Sequence, residues 1–157
     1  MAELPKYEVS PQEGAALMSE TMIKWWLAAV GTMTHVMGSE NAMKAYGPVM
    51  KMIGKESTEE LNKKLNINSK DAIALGSLVN FWEGMMGIEG RIEEASPKRV
   101  VKVITGCPLS KAPYEACHSL TCACQGMSEV VSPDFRFNAT HFMTKGDPYC
   151  RWVVEKK

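Results

Sequence analysis

The chain has 157 residues, 45% of them hydrophobic, with 18 Lys and Arg balanced by 18 Asp and Glu. That length and apolar content suffice for one domain with its own core, and the even charge removes the basic field that nucleic acid needs. Lys, Glu or Asn interrupts every apolar run well short of the roughly 18 residues of a membrane helix, so no membrane partner is expected either.

Residues 1–10 read as an extended lead-in. Met1-Ala2-Glu3-Leu4-Pro5-Lys6 lacks the basic-then-apolar pattern of a signal sequence, so a cytoplasmic location is expected. There, cysteines serve as free thiols, ligands or catalytic groups rather than structural disulfides, and an odd count of five agrees. A long helix follows from Pro11 to Met37. Its Leu17, Met22, Trp25, Trp26, Ala29, Val30, Met33 and Val36 cover more than one face, the pattern of a helix packed on several sides. Gly38 ends it. Ser39 is placed to cap a second helix running to about Met52, with Gly54 as its stop. Ser57 and Glu60 have capping-box spacing and predict a short third helix, Thr58 to about Leu65. Ser69 caps a fourth, Lys70 to about Met86, with Ile73, Leu75, Leu78, Val79 and Trp82 buried and Gly87 at its end. Methionine is frequent in this part, including Met18, Met22, Met50, Met52, Met85 and Met86. Unbranched thioethers fill irregular gaps, so the helical layer is either a plastic core or the wall of an apolar pocket.

The period then changes. Ile88 to Ala95 and Arg99 to Ile104 are short and β-branched around Ser96-Pro97, as in two antiparallel strands. Pro108 to about Val130 reads as helix, with Leu109, Ala112, Ala116, Leu120, Ala123, Met127 and Val130 as its core stripe. Phe135 to Met143 and Tyr149 to Val154 form a closing hairpin around Lys145-Gly146-Asp147-Pro148. The expected architecture is a single α+β domain over 1–157. A helical part, 1–87, packs as a layer on a small antiparallel sheet, and 88–157 holds the strands, one further long helix and the hairpin.

All five cysteines lie in the last third, at 107, 117, 122, 124 and 150. With proline at the first helical position, Cys107 falls at the N-cap, where free amides and the helix dipole favour a thiolate. It is a nucleophile, ligand or redox thiol, or else a small buried residue at a turn. Cys117 and Cys124, seven apart, share one helix side and look toward the sheet. His118 and Cys122, four apart, lie on another face, nearly opposite the stripe, and are a metal pair at a surface or oligomer contact or, more simply, solvated. In the hairpin, Phe135, Phe137, Ala139 and His141 share one face and Cys150, Trp152 and Val154 another. With the loop at Thr144–Asp147, His141 and Cys150 come out opposite each other, as a site or as a core histidine beside a thiol. Asp147 most simply accepts a backbone amide in the turn. No CxxC pair, Ser/His/Asp signature or glycine-rich phosphate loop occurs.

Cys107-Pro108, Cys124, Phe135-Arg136-Phe137 and Gly146-Asp147-x-x-Cys150, with Trp152 beyond, together resemble the L-2-amino-thiazoline-4-carboxylic acid hydrolase family over about residues 100–155. The Gly-x-x-x-Cys hairpin is also similar to vinyl-reductase-type, hydrocarbon-binding domains of aromatic-compound sensors. The first resemblance implies ring-opening hydrolysis of a cyclic amidine, with Cys107 as thiolate nucleophile, His141 as proton shuttle and Cys124 beside them. Trp82, Asp147 and Cys150 are then the residues expected to contact substrate. The second implies a non-catalytic small-molecule domain, with Cys117, Cys124, His141 and Cys150 as a candidate zinc set; no other cofactor is implied. Trp25-Trp26 and the surplus apolar helix surface suit a homodimer contact under either reading.

Overall fold

The computed structural model describes residues 9–65, 67 and 69–157, so most of the expected lead-in lies outside them. Ser10 opens the first helix with a capping box. Its hydroxyl accepts from the Glu13 amide at 3.2 Å, and the Glu13 carboxylate accepts from the Ser10 amide at 3.0 Å. Helix α1 then spans Pro11–Met37, the bounds expected from sequence, and Gly38 caps it. The expectation that α1 is packed on several sides does not hold. Among its residues Val30 is buried, while Trp25 is 65% exposed and Leu17, Met18, Met22 and Val36 face outward.

Helix α2 spans Ser39–Leu65 without a break, where the sequence predicts two helices separated at Gly54. The cause is tertiary. A Cβ on Gly54 would run into the carbonyl of Ala123, and a Cβ on Gly126 would run into the carbonyl of Lys51. Here glycine is chosen for close approach between two backbones, not as a helix stop, and packing outweighs its poor helix propensity. Ser57 is accordingly mid-helix, and the buried Thr58 hydroxyl donates to the Gly54 carbonyl at 2.6 Å. Helix α3, Ala72–Met85, is capped by Asp71 and not Ser69: the Asp71 carboxylate accepts the Ala74 amide at 2.9 Å, a bond that lowers its pKa. Leu75, Leu78 and Val79 are buried as expected, but Ile73 is exposed.

Four strands follow, all paired antiparallel in the order β1-β2-β4-β3: β1 Glu89–Ser96, β2 Arg99–Gly106, β3 Phe135–His141 and β4 Cys150–Lys156. The α+β class expected from sequence is the observed one. Pleating sends Val100, Lys102 and Ile104 of β2, Trp152 and Val154 of β4, and Phe135 and Phe137 of β3 to one face. Most of these join Leu75, Leu78, Val79, Met127 and Val131 in a single core. No helix among the described residues is long and apolar enough to cross a membrane.

Two boundaries near the cysteines move. Helix α4 begins at Tyr114, not Pro108, and ends at Val131. A proline inside a helix blocks the bond to the carbonyl four residues back, and for Pro113 that carbonyl is Leu109's, which instead accepts from Ala112 at 2.9 Å. Residues 108–112 form turns, and Pro113 takes the cap position. In the hairpin, one extra residue bulges between Ala139 and His141, so His141 pairs with Arg151, and Cys150 pairs with Ile104 of β2. The expected His141–Cys150 pairing is therefore not formed. A one-turn 3-10 helix, Met143–Lys145, fills the connection.

Candidate functional site

Between α2, α3 and α4 on one side and the sheet on the other lies a cavity of about 160 Å³. Its wall is overwhelmingly apolar. Met50 and Ile53 come from α2, Val79, Trp82 and Met86 from α3, Leu120 and Met127 from α4, and Phe137 and Trp152 from the strands. The methionine-rich layer thus supplies Met50 and Met86 to a pocket wall, while Met18, Met22, Met52 and Met85 are exposed on the surface.

Four of the five cysteines reach this wall. Cys107 comes from the end of β2, Cys117 and Cys124 from one side of α4, and Cys150 from the start of β4. His141 lines it from the end of β3. Folding gathers these side chains from over forty residues of sequence, as the heptad spacing on α4 and the inward strand face imply. All five thiols are free. Cys122 is buried elsewhere, against Gly47 of α2, with its sulfur 3.6 Å from the His118 ring. The expectation that this pair is solvated fails for Cys122, which α2 covers, while His118 is half-buried.

Burial disfavours the thiolate at each of the four cavity cysteines. Without a helix starting at Pro108, Cys107 loses the dipole expected to favour its anion, and burial pushes it up from about 9 to about 11. An amide hydrogen bond from Leu109 opposes this only in part. Burial likewise raises Cys117, Cys124 and Cys150, and Cys107 is raised further by its neighbours Cys117 and Cys150. The Cys150 sulfur accepts the Met143 amide at 3.2 Å, which fixes the hairpin connection to β4. The His141 ring stacks on Tyr149 at 5.0 Å between centroids, and the Thr140 hydroxyl lies 3.0 Å from its Nδ1. Asp147 is outside the cavity wall and does the turn work read from sequence, accepting the Phe142 amide at 2.7 Å. Lys145 stands over the Tyr114 ring at 3.7 Å, tying the same connection to the start of α4.

A zinc site does not close on the expected residues. Cys117, Cys124, His141 and Cys150 all border the cavity, yet among the described residues no three His, Cys, Asp or Glu side chains converge as ligands of one ion must.

Sequence reasoning missed the polar part of the wall. Glu83 of α3 borders the cavity and is only 7% exposed. Its Oε2 accepts from Lys102 Nζ at 2.7 Å, and its Oε1 accepts from the Trp152 indole at 2.8 Å. Lys102 is 2% exposed and also donates to the Asn80 side chain at 2.7 Å. Lys102 and Trp152 are direct cross-strand partners, so one carboxylate on α3 bridges β2 and β4. Burial raises the Glu83 pKa, and Lys102 and Trp152 oppose that rise. Both oxygens face donors, which is the arrangement of an ionised carboxylate. The signal was present: Lys102 interrupts the run Val100-Val101-Lys102-Val103-Ile104 at a position whose parity points inward. The Trp82 indole nitrogen is also buried, without a partner among the described residues.

No family model matches the chain, and no curated protein matches it in sequence. Solved structures do resemble it. A trafficking protein particle complex subunit 3 from Naegleria fowleri, covalently bound to palmitic acid, superposes with a TM-score of 0.65 and 13% identity, over 93% of this chain and 96% of that one. The phenol-responsive sensory domain of the transcription activator PoxR, solved with phenol, gives 0.60 and 14%, over 90% of this chain and 74% of that one. At such identities the likeness concerns the fold. It provides no support for the thiazoline hydrolase resemblance and agrees with the fold expected from the sensor-type one.

Proposed function

We propose that the protein is a small-molecule binding domain whose ligand is a compact, largely apolar ring held between α4 and the sheet. The observation that carries this reading is the apolar cavity of about 160 Å³. A void of roughly 150 Å³ with an aliphatic and aromatic lining is enough, in another protein, to stay dry and bind benzene. The PoxR domain with phenol supports the same class of ligand on the same fold. Hydrolysis at Cys107 has less behind it, because a nucleophile needs a thiolate and burial keeps this thiol protonated at neutral pH. The test is calorimetric titration with toluene, with one saturable site per chain expected. Ala139→Phe places a ring in the void from β3 and should abolish the heat of binding while leaving the circular dichroism of the fold unchanged. Binding that survives this filling would locate the ligand elsewhere and end the proposal.

A further inference from the structure

Glu83 has no evident task in an apolar binding site, and a buried ion pair is at best weakly stabilising compared with apolar residues of the same volume. Its position suggests what it is for. Of the two partners in this ion pair, Glu83 borders the void, whereas Lys102 does not and also reaches Asn80. Each oxygen has one protein donor, Lys102 on Oε2 and Trp152 on Oε1. An ionised carboxylate offers about four lone-pair positions, so roughly two are left unused. Trp152, which also lines the cavity, fixes the carboxylate's orientation from the sheet side.

We propose that Glu83 is the polar anchor of the cavity, accepting a hydrogen bond from the ligand, and that it restricts the ligand class to neutral rings bearing an O–H or N–H donor. This rests on the cavity being the binding site. The charge balance supplies the restriction. Lys102 already neutralises Glu83, so a cationic amine would leave a net positive charge in an apolar cavity, and an anionic acid would add a second negative charge beside Glu83. A neutral donor adds a charge-assisted bond at no such cost. A hydroxyl or amino group on an aromatic ring supplies such a donor.

The test compares phenol and aniline with toluene, and benzoate as the anion, by calorimetry on the intact chain. Phenol and aniline should bind roughly ten- to a hundredfold more tightly than toluene, the range expected for a hydrogen bond to a charged group. Benzoate should not bind. In Glu83→Leu/Lys102→Met, which removes both charges together, toluene should still bind and the preference should vanish. If that double variant does not fold, the side-chain carboxyl carbon resonance of Glu83 in the unaltered protein decides, with a shift expected on adding phenol and not on adding toluene. Equal affinity for all three neutral rings, a preference that persists in the double variant, or an unmoved Glu83 resonance would overturn this role and leave the apolar cavity reading intact. If none of the rings binds, the cavity reading falls and takes the role of Glu83 with it.

Discussion

Helix α4 presents two faces with opposite packing. Toward α2 it is closed to backbone contact, with Gly126 against Lys51 and Ala123 against Gly54. Toward the sheet, Cys117, Leu120, Cys124 and Met127 stop short and leave a void. Protein interiors are ordinarily filled to crystal-like density, and an unfilled volume forfeits dispersion contacts on every side. The glycine seam shows that this chain is able to bring α4 into backbone contact with α2, although Gly54 and Ala123 also reach the edge of the void. The void on its other face is thus a property of which side chains stand there, and an occupant would restore the missing contacts. The contrast is the physical core of the binding proposal.

The largest expected effect comes from the polar wall of the cavity. Lys102→Met leaves Glu83 buried without its counter-charge and should cost about 3–5 kcal/mol in urea unfolding, whereas Glu83→Leu/Lys102→Met should recover most of that loss. A small cost for the single substitution would mean that water already reaches the pair. The seam comes next. Gly54→Ala forces a methyl group into the Ala123 backbone and should destabilise by about 1–3 kcal/mol, as overpacking does. Gly84→Ala, with nothing within 4 Å of the new methyl, should instead be neutral or stabilise α3 by roughly 0.5–1 kcal/mol. Equal effects at the two glycines would erase the distinction between a seam and an ordinary helix position.

The smallest effect reads the cavity face through its thiols. Cys107 holds its proton up to about 11 when folded, against about 9 ordinarily. Folded chains therefore bind a proton that unfolded chains release across that window. Stability from this source is whole below about pH 9 and falls as pH rises toward 11. Melting temperatures from pH 7 to 10.5 should show the decline, and Cys107→Ala should make it shallower. A decline of the same steepness in both proteins would mean that Cys107 is not shielded from solvent.

Much of this was legible in the sequence, for reasons that are local. Pro11 and Gly38 punctuate α1 whatever surrounds it, and β-branched runs broken by Ser96-Pro97 define β1 and β2. Cys117 and Cys124 face the cavity because seven residues are close to two helical turns. What escaped depends on partners distant in sequence. Gly54 reads as a stop until Ala123 is seen against it. The start of α4 waited on Pro113, five residues beyond the proline that seemed to open it. A single bulged residue redirected His141 to Arg151, and no pattern of period two announces a bulge. The pairing of Glu83 with Lys102 crosses from helix to strand, so each appeared alone as a charge in an apolar run.

The most direct measurement is a crystal of the protein grown with bromobenzene, with the bromine located from its anomalous scattering. The account predicts a single strong peak inside the void, bordered by Trp82, Cys124 and Trp152. Bromine found only against the exposed apolar residues of α1, with the void between α4 and the sheet left empty, would contradict it.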